Sequence, residues 1–164
     1  MNYIKITKND IANGPGVRCV LWVAGCKLHC DGCHNPQTWD FNAGKLFDEN
    51  AKNELFETLS KPYIQGVTFS GGNPMDNPYE IFLLAKEIKE RFPNKDIWLY
   101  SGYTYEQICL VRERFKVLCY IDVLVDGPYI DEQRDITLRF VGSSNQRIIN
   151  VKTTLAAQKV VLYE

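Results

Sequence analysis

Three thiols within eight residues, Cys26, Cys30 and Cys33 at CxxxCxxC spacing, are the groups in this sequence best suited to chemistry. They lie in the stretch Gly25-Cys26-Lys27-Leu28-His29-Cys30-Asp31-Gly32-Cys33-His34-Asn35-Pro36. Such short loops let three thiolates converge on one small object, and soft sulfur donors select zinc, copper(I) or an iron-sulfur cluster over magnesium or calcium. A structural zinc site closes its tetrahedron with four ligands. Its fourth ligand would have to be His29 or His34, the only histidines in the chain, and both sit inside the cysteine loop with little chain to wrap a metal. A [4Fe-4S] cube normally takes four cysteines, so three leave one iron open to a small molecule. Ligand count alone leaves both readings standing.

The remaining cysteines, Cys19, Cys109 and Cys119, lie among apolar neighbours and read as small buried hydrophobes. A disulfide framework does not suit a chain of 164 residues with six cysteines. With 45% hydrophobic and 24% charged residues, residues 1–164 read as a single domain with its own core. A net charge of -1 gives no general attraction to nucleic acid or to an anionic membrane. The opening Met1-Asn2-Tyr3-Ile4-Lys5 lacks the apolar core of a signal peptide, and runs such as Val123 to Val125 are too short to span a bilayer, so a cytoplasmic protein with reduced thiols is expected.

The thiols must be positioned by what flanks them. Val17 to Ala24 is an apolar, β-rich run between Gly14-Pro15-Gly16 and Gly25, and reads as a strand leading into the cysteine loop. Asp48 to Lys61 carries Leu55, Phe56 and Leu59 at helical spacing with Asp48 as N-cap. Gln65 to Phe69 reads as a strand, Asn77 to Phe92 as a helix with one apolar stripe, Asp96 to Tyr100 as a strand, Tyr105 to Phe115 as a helix and Tyr120 to Val125 as a strand. Ile136 to Phe140 and Arg147 to Val151 read as short strands, and Lys159 to Tyr163 as an edge strand or a tail.

Alternating strands and helices are the grammar of a mainly parallel sheet with crossover helices. A full eight-unit barrel takes ~250 residues, so the chain has room for about four or five units. The fold class expected is α/β, a partial, open (β/α) barrel. The cysteine loop, Ser70-Gly71-Gly72-Asn73-Pro74, Ser101-Gly102-Tyr103-Thr104 and Asp126-Gly127-Pro128-Tyr129 each follow the carboxyl end of a strand. They therefore share the rim on which α/β sheets place ligands.

CxxxCxxC followed by His34-Asn35-Pro36 resembles the signature of the radical S-adenosylmethionine (SAM) superfamily, and in particular of the activases that install glycyl radicals in partner enzymes. Gly71-Gly72 resembles the superfamily's GGE or GGD element, with Asn73 where an acid is usual. Gly32 stands before the third cysteine where an aromatic residue is usual. Thr38-Trp39, Asn13-Gly14-Pro15-Gly16, Asp96-Ile97-Trp98, Ser101-Gly102-Tyr103, Asp122 to Gly127 and Gly142 to Arg147 extend the resemblance to the activating proteins of anaerobic ribonucleoside-triphosphate reductases.

That resemblance implies Cys26, Cys30 and Cys33 as ligands of a [4Fe-4S] cluster whose fourth iron is chelated by SAM. It implies Gly32, Cys33, His34, Ser70, Gly71, Gly72, Asn73, Ser101 and Asp126 as the cofactor-binding residues, with no catalytic side chain beyond cluster and SAM. One electron would cleave SAM to methionine and a 5′-deoxyadenosyl radical, which would take hydrogen from a backbone glycine of the reductase. The implied partners are that reductase, through its glycine-bearing loop, and a low-potential donor such as flavodoxin or ferredoxin. Activation of another glycyl-radical enzyme of the pyruvate formate-lyase type is one alternative, and a non-catalytic iron-sulfur or zinc protein is another.

Overall fold

The computed structural model describes all 164 residues, and one seven-stranded sheet runs through it. In chain order the elements are β1 (Asn2–Asp10), β2 (Val17–Val23), β3 (Lys45–Leu46), α1 (Glu49–Leu59), β4 (Ile64–Gly71), α2 (Pro78–Arg91), β5 (Asp96–Tyr100), α3 (Tyr105–Cys109), α4 (Arg112–Leu118), β6 (Val123–Asp126), β7 (Arg147–Asn150) and α5 (Val151–Ala157). The sheet order is β3-β1-β2-β4-β5-β6-β7. Its centre, β2-β4-β5-β6, is parallel, and β1, β3 and β7 pair antiparallel at the flanks. The sheet is open, the partial-barrel arrangement expected of the strand and helix alternation. No helix is long and apolar enough to cross a membrane.

Period-two alternation divides the parallel strands between two faces. Cys19, Leu21, Val23, Val67, Phe69, Ile97, Leu99 and Leu124 join one core with Leu55, Leu59, Ile81, Leu84, Ile88, Ile108 and Val117 from the helices. Burial pushes the Cys19 thiol up to about 12, which keeps it neutral and unreactive. On the opposite face a smaller cluster of Trp98, Val123 and Val125 packs with Phe140 and Ile148. Fully buried Arg18 closes the amino end of this face, donating to Thr68 Oγ1, Pro15 O and Val67 O and pairing with Asp96. The carboxyl end of the same face stays open.

Helix α1 begins as the sequence predicts, with Asp48 Oδ1 accepting from Ala51 N at 3.0 Å. Other expectations are corrected. The helix over 105–115 is two helices, because Val111 takes an extended backbone and α4 turns to bury Val117 and Leu118 instead of Phe115. The strand expected from Tyr120 starts only at Val123. Ile136 to Phe140 forms turns, with Ile136 84% exposed and unable to contribute to a packed strand. Arg147 to Asn150 does pair, with β6, but the chain then enters α5. Residues 159–163 contribute an isolated bridge between Leu162 and Ile149. Strand β1, absent from the sequence reading, doubles the edge beside β2.

Asp122 ties the amino ends of β5 and β6 to α2, accepting from Ile97 N at 2.7 Å and pairing with Lys89 and Lys152. Burial raises its pKa, but the hydrogen bonds from Lys89, Lys152 and Ile97 outweigh that and hold it below the usual carboxylate range. A depressed folded pKa adds stability that is present above the unfolded value of about 3.9 and is lost as pH falls through the folded one. Asp122→Asn is therefore expected to cost about 1–3 kcal/mol near neutral pH. In urea unfolding the gap to wild type should begin to narrow as pH falls below about 3.9 and close only once pH is below the depressed folded-state pKa.

Candidate functional site

The cysteine loop leaves the carboxyl end of β2 and is closed at its base by backbone bonds, Gly25 N to Thr38 O at 2.7 Å and Cys26 N to Trp39 O at 3.1 Å. Within it Cys33 N donates to Cys30 O at 3.2 Å and Asn35 N to Cys33 Sγ at 3.4 Å. His29 has a left-handed backbone, φ 48°, and its ring stacks on Trp39 with centroids 4.4 Å apart. Cys26, Cys30 and Cys33 all line one cavity of about 560 Å³ at the open end of the sheet, within the size range of small-molecule sites. Burial pushes the Cys26 thiol up, opposed by the Leu28 and His29 backbone N–H groups and reinforced by Asp76 and Cys30.

No three His, Cys, Asp or Glu side chains gather closely enough to hold a single metal ion. With metal–sulfur bonds of about 2.3 Å a mononuclear tetrahedral site needs its sulfurs nearly in contact, whereas a cluster seats each thiolate on a different iron and keeps them farther apart. Of the two histidines, His29 is turned to Trp39 and does not line the cavity, whereas His34 does.

Ser70, Gly71, Gly72 and Asn73 line the same cavity from the end of β4. Gly72 N donates to Val23 O and Asn73 N to Gly25 O, both at 2.8 Å, which stitches this loop to the root of the cysteine loop. The approach explains both glycines. A Cβ on Gly72 would sit 2.5 Å from Gly25 O and 3.0 Å from Thr38 O, and one on Gly71, φ 99°, would sit 2.6 Å from Val23 O.

Asn73 is 1% exposed, and its polarity is fixed by a directed chain. Tyr103 N donates to Ser101 Oγ at 3.1 Å, Ser101 Oγ donates to Asn73 Oδ1 at 3.0 Å, and Met75 N donates to the same oxygen at 3.2 Å. The carbonyl is thus committed inside the protein, while Nδ2 is buried with no partner. A buried donor of this kind is costly unless something supplies an acceptor. The usable group on Asn73 is therefore a donor, not the acceptor oxygen that its likeness to the GGE or GGD acid would suggest.

Ser101 and His34 line the cavity, with His34 4.8 Å from the Tyr129 ring. Two residues expected to bind the cofactor do not line it. Asp126 shares strand parity with Leu124 and so points to the helix side, where it accepts from Tyr105 N and pairs with Arg147. Gly32 lies against Asp131, 3.0 Å from where its Cβ would be. The structure adds Trp22, Tyr100, Tyr129 and Gln146 to the lining. Trp22 and Tyr100 were readable from strand parity, as the cavity-side neighbours of Val20 and Trp98. Tyr129 and Gln146 come from irregular segments that carry no periodic signal.

The model of a family described as "4Fe-4S single cluster domain" matches residues 12–149. A protein of Enterobacteria phage T4 named anaerobic ribonucleoside-triphosphate reductase-activating protein is 45% identical over 150 residues, covering 90% of this chain and 93% of the relative. Relatives of the same name from Haemophilus influenzae and Escherichia coli are 40% and 37% identical over 156 residues, each covering 93% of this chain and 99% and 100% of the relative. With its three thiols, paired glycines and buried amide opening on one cavity, the chain belongs to the family of anaerobic ribonucleoside-triphosphate reductase-activating proteins.

Proposed function

We propose that this chain is an activating enzyme that uses a [4Fe-4S] cluster and SAM to generate a glycyl radical on an anaerobic ribonucleoside-triphosphate reductase. The observation that carries the reading is the convergence of Cys26, Cys30 and Cys33 with Gly71, Gly72 and Asn73 on a single cavity. Three donor atoms suit a cluster with one open corner, and the unpartnered Asn73 Nδ2 is a vacant donor for a ligand carboxylate. When bound, cluster and SAM supply the electron transfer and hydrogen abstraction, while the protein binds, orients and shields them.

Cys26, Cys30 and Cys33 hold the cluster. Ser70, Gly71, Gly72 and Ser101 lay backbone and hydroxyl groups along the SAM site, and His34 with Tyr129 offers ring surface for a base. Gly32 lets the loop turn against Asp131, and Asp126 acts at one remove by anchoring Arg147 and the start of α3. The uncovered end of the sheet admits the glycine-bearing loop of the reductase. The chain works as one domain, in a cytoplasmic setting that keeps its six cysteines reduced, with a low-potential donor such as flavodoxin or ferredoxin.

Anaerobic reconstitution with iron and sulfide tests this directly. The loaded protein should form 5′-deoxyadenosine from SAM and, with the reductase present, an electron paramagnetic resonance (EPR) doublet of a glycyl radical. Zinc uptake without iron, or iron without SAM cleavage, would refute it. At Asn73 the outcome expected is about tenfold weaker SAM binding for Asn73→Ala, equal to about 1.4 kcal/mol, with cluster content unchanged. Asn73→Asp, which turns the donor into an acceptor, should weaken it at least as much, and tighter binding would show that Nδ2 faces no carboxylate.

A further inference from the structure

Behind the cysteine loop, outside the cavity, lies a charged group that this chemistry does not use. Asp76 ends the short turn that follows Asn73, and its side chain is 0% exposed. Oδ2 accepts from Lys27 N, the residue after Cys26, at 2.9 Å. Oδ1 accepts from Tyr103 OH at 2.8 Å and from Arg114 Nη2 at 3.1 Å. Arg114 is itself fixed by stacking 3.8 Å over the Tyr103 ring and by donating from Nε to Met75 O at 3.0 Å. The carboxylate has donors on both oxygens. Its position matters because the same loop places Asn73 on the cavity and Asp76 on the N–H of the residue that follows the first cysteine.

We propose that Asp76 is a positioning residue that fixes the turn after Cys26 and lowers the reduction potential of a cluster held by the three cysteines, with Arg114 and Tyr103 setting how much negative charge it presents. Cluster potentials follow net charge and hydrogen bonding around the sulfurs. A buried anion one residue from a ligand is poorly screened and opposes addition of an electron. Donors from Tyr103 and Arg114 draw charge off the carboxylate and moderate that effect. The inference rests on the cluster reading above.

The test is an EPR-monitored reductive titration of the anaerobically reconstituted protein, with iron and sulfide content measured on each sample. Asp76→Asn keeps the shape and removes the charge, and it should favour reduction about tenfold, a rise of about 59 mV for one electron. Tyr103→Phe changes no formal charge and keeps the ring under Arg114. By stripping a donor from Asp76 it should shift the potential the other way, and this shift should vanish when combined with Asp76→Asn. An unchanged or lowered potential in Asp76→Asn overturns the inference. Should that variant hold no iron, the comparison of Tyr103→Phe with wild type decides, a lowered potential supporting the inference and an unchanged one overturning it. A wild-type chain that takes up no iron overturns the cluster reading and this inference together, whereas a loaded cluster indifferent to these substitutions overturns this inference alone.

Discussion

Cys30→Ala is expected to lose the cluster and SAM cleavage together, to background, while the chain stays folded. Cys30 sits mid-loop, half-buried, between the other two thiols, and the loop's base is held by the Gly25–Thr38 and Cys26–Trp39 backbone bonds, not by its side chain. Two remaining thiolates leave a second iron without a protein ligand. A surface-loop change of this kind should alter stability by no more than about 0.5 kcal/mol. Cys19→Ala gives the opposite pattern and serves as the control. Cys19 is fully buried in the main core with its thiol pushed up to about 12, so its truncation should lower stability and leave iron content unchanged. Iron quantitation with urea unfolding on both variants separates the roles. Full SAM cleavage by Cys30→Ala would remove Cys30 from the ligand set.

Gly72→Ala carries the second large effect, and here the damage comes from space, not chemistry. The added methyl would meet Gly25 O at 2.5 Å and Thr38 O at 3.0 Å, both backbone atoms, so the two loops must part. Overpacking against fixed atoms costs about 1–3 kcal/mol. The movement also shifts Asn73, whose N–H is bonded to Gly25 O. SAM affinity should therefore fall by more than in Asn73→Ala, with a lower unfolding midpoint. Wild-type affinity in Gly72→Ala would mean that the junction of the two loops does not shape the ligand site.

How far this was legible in the sequence follows from the range of the interactions involved. The four crossover strands and helices α1 and α2 were readable because apolar periodicity and caps such as Asp48 are local. The break at Val111 was not, because only packing shows that Val117 and Leu118 are better buried than Phe115. The turns over 136–140 read as a strand from composition, yet the strand that β6 takes as partner is Arg147–Asn150. The family resemblance implies Asp126 as a cofactor-binding residue. One step of parity sends its carboxylate to Arg147 instead.

By itself the sequence determined three closely spaced thiols, the central alternation of strand and helix from β2 to β6, and which loops share the carboxyl rim, since spacing and periodicity are properties of neighbouring residues. The tertiary structure decided which atoms those loops present. It committed the Asn73 carbonyl to Ser101 and Met75 and left its amide free, turned His29 onto Trp39, and buried Asp76 behind Cys26. Each of these depends on partners far away in the chain, and a side chain's available donor or acceptor is known only once its other hydrogen bonds are filled.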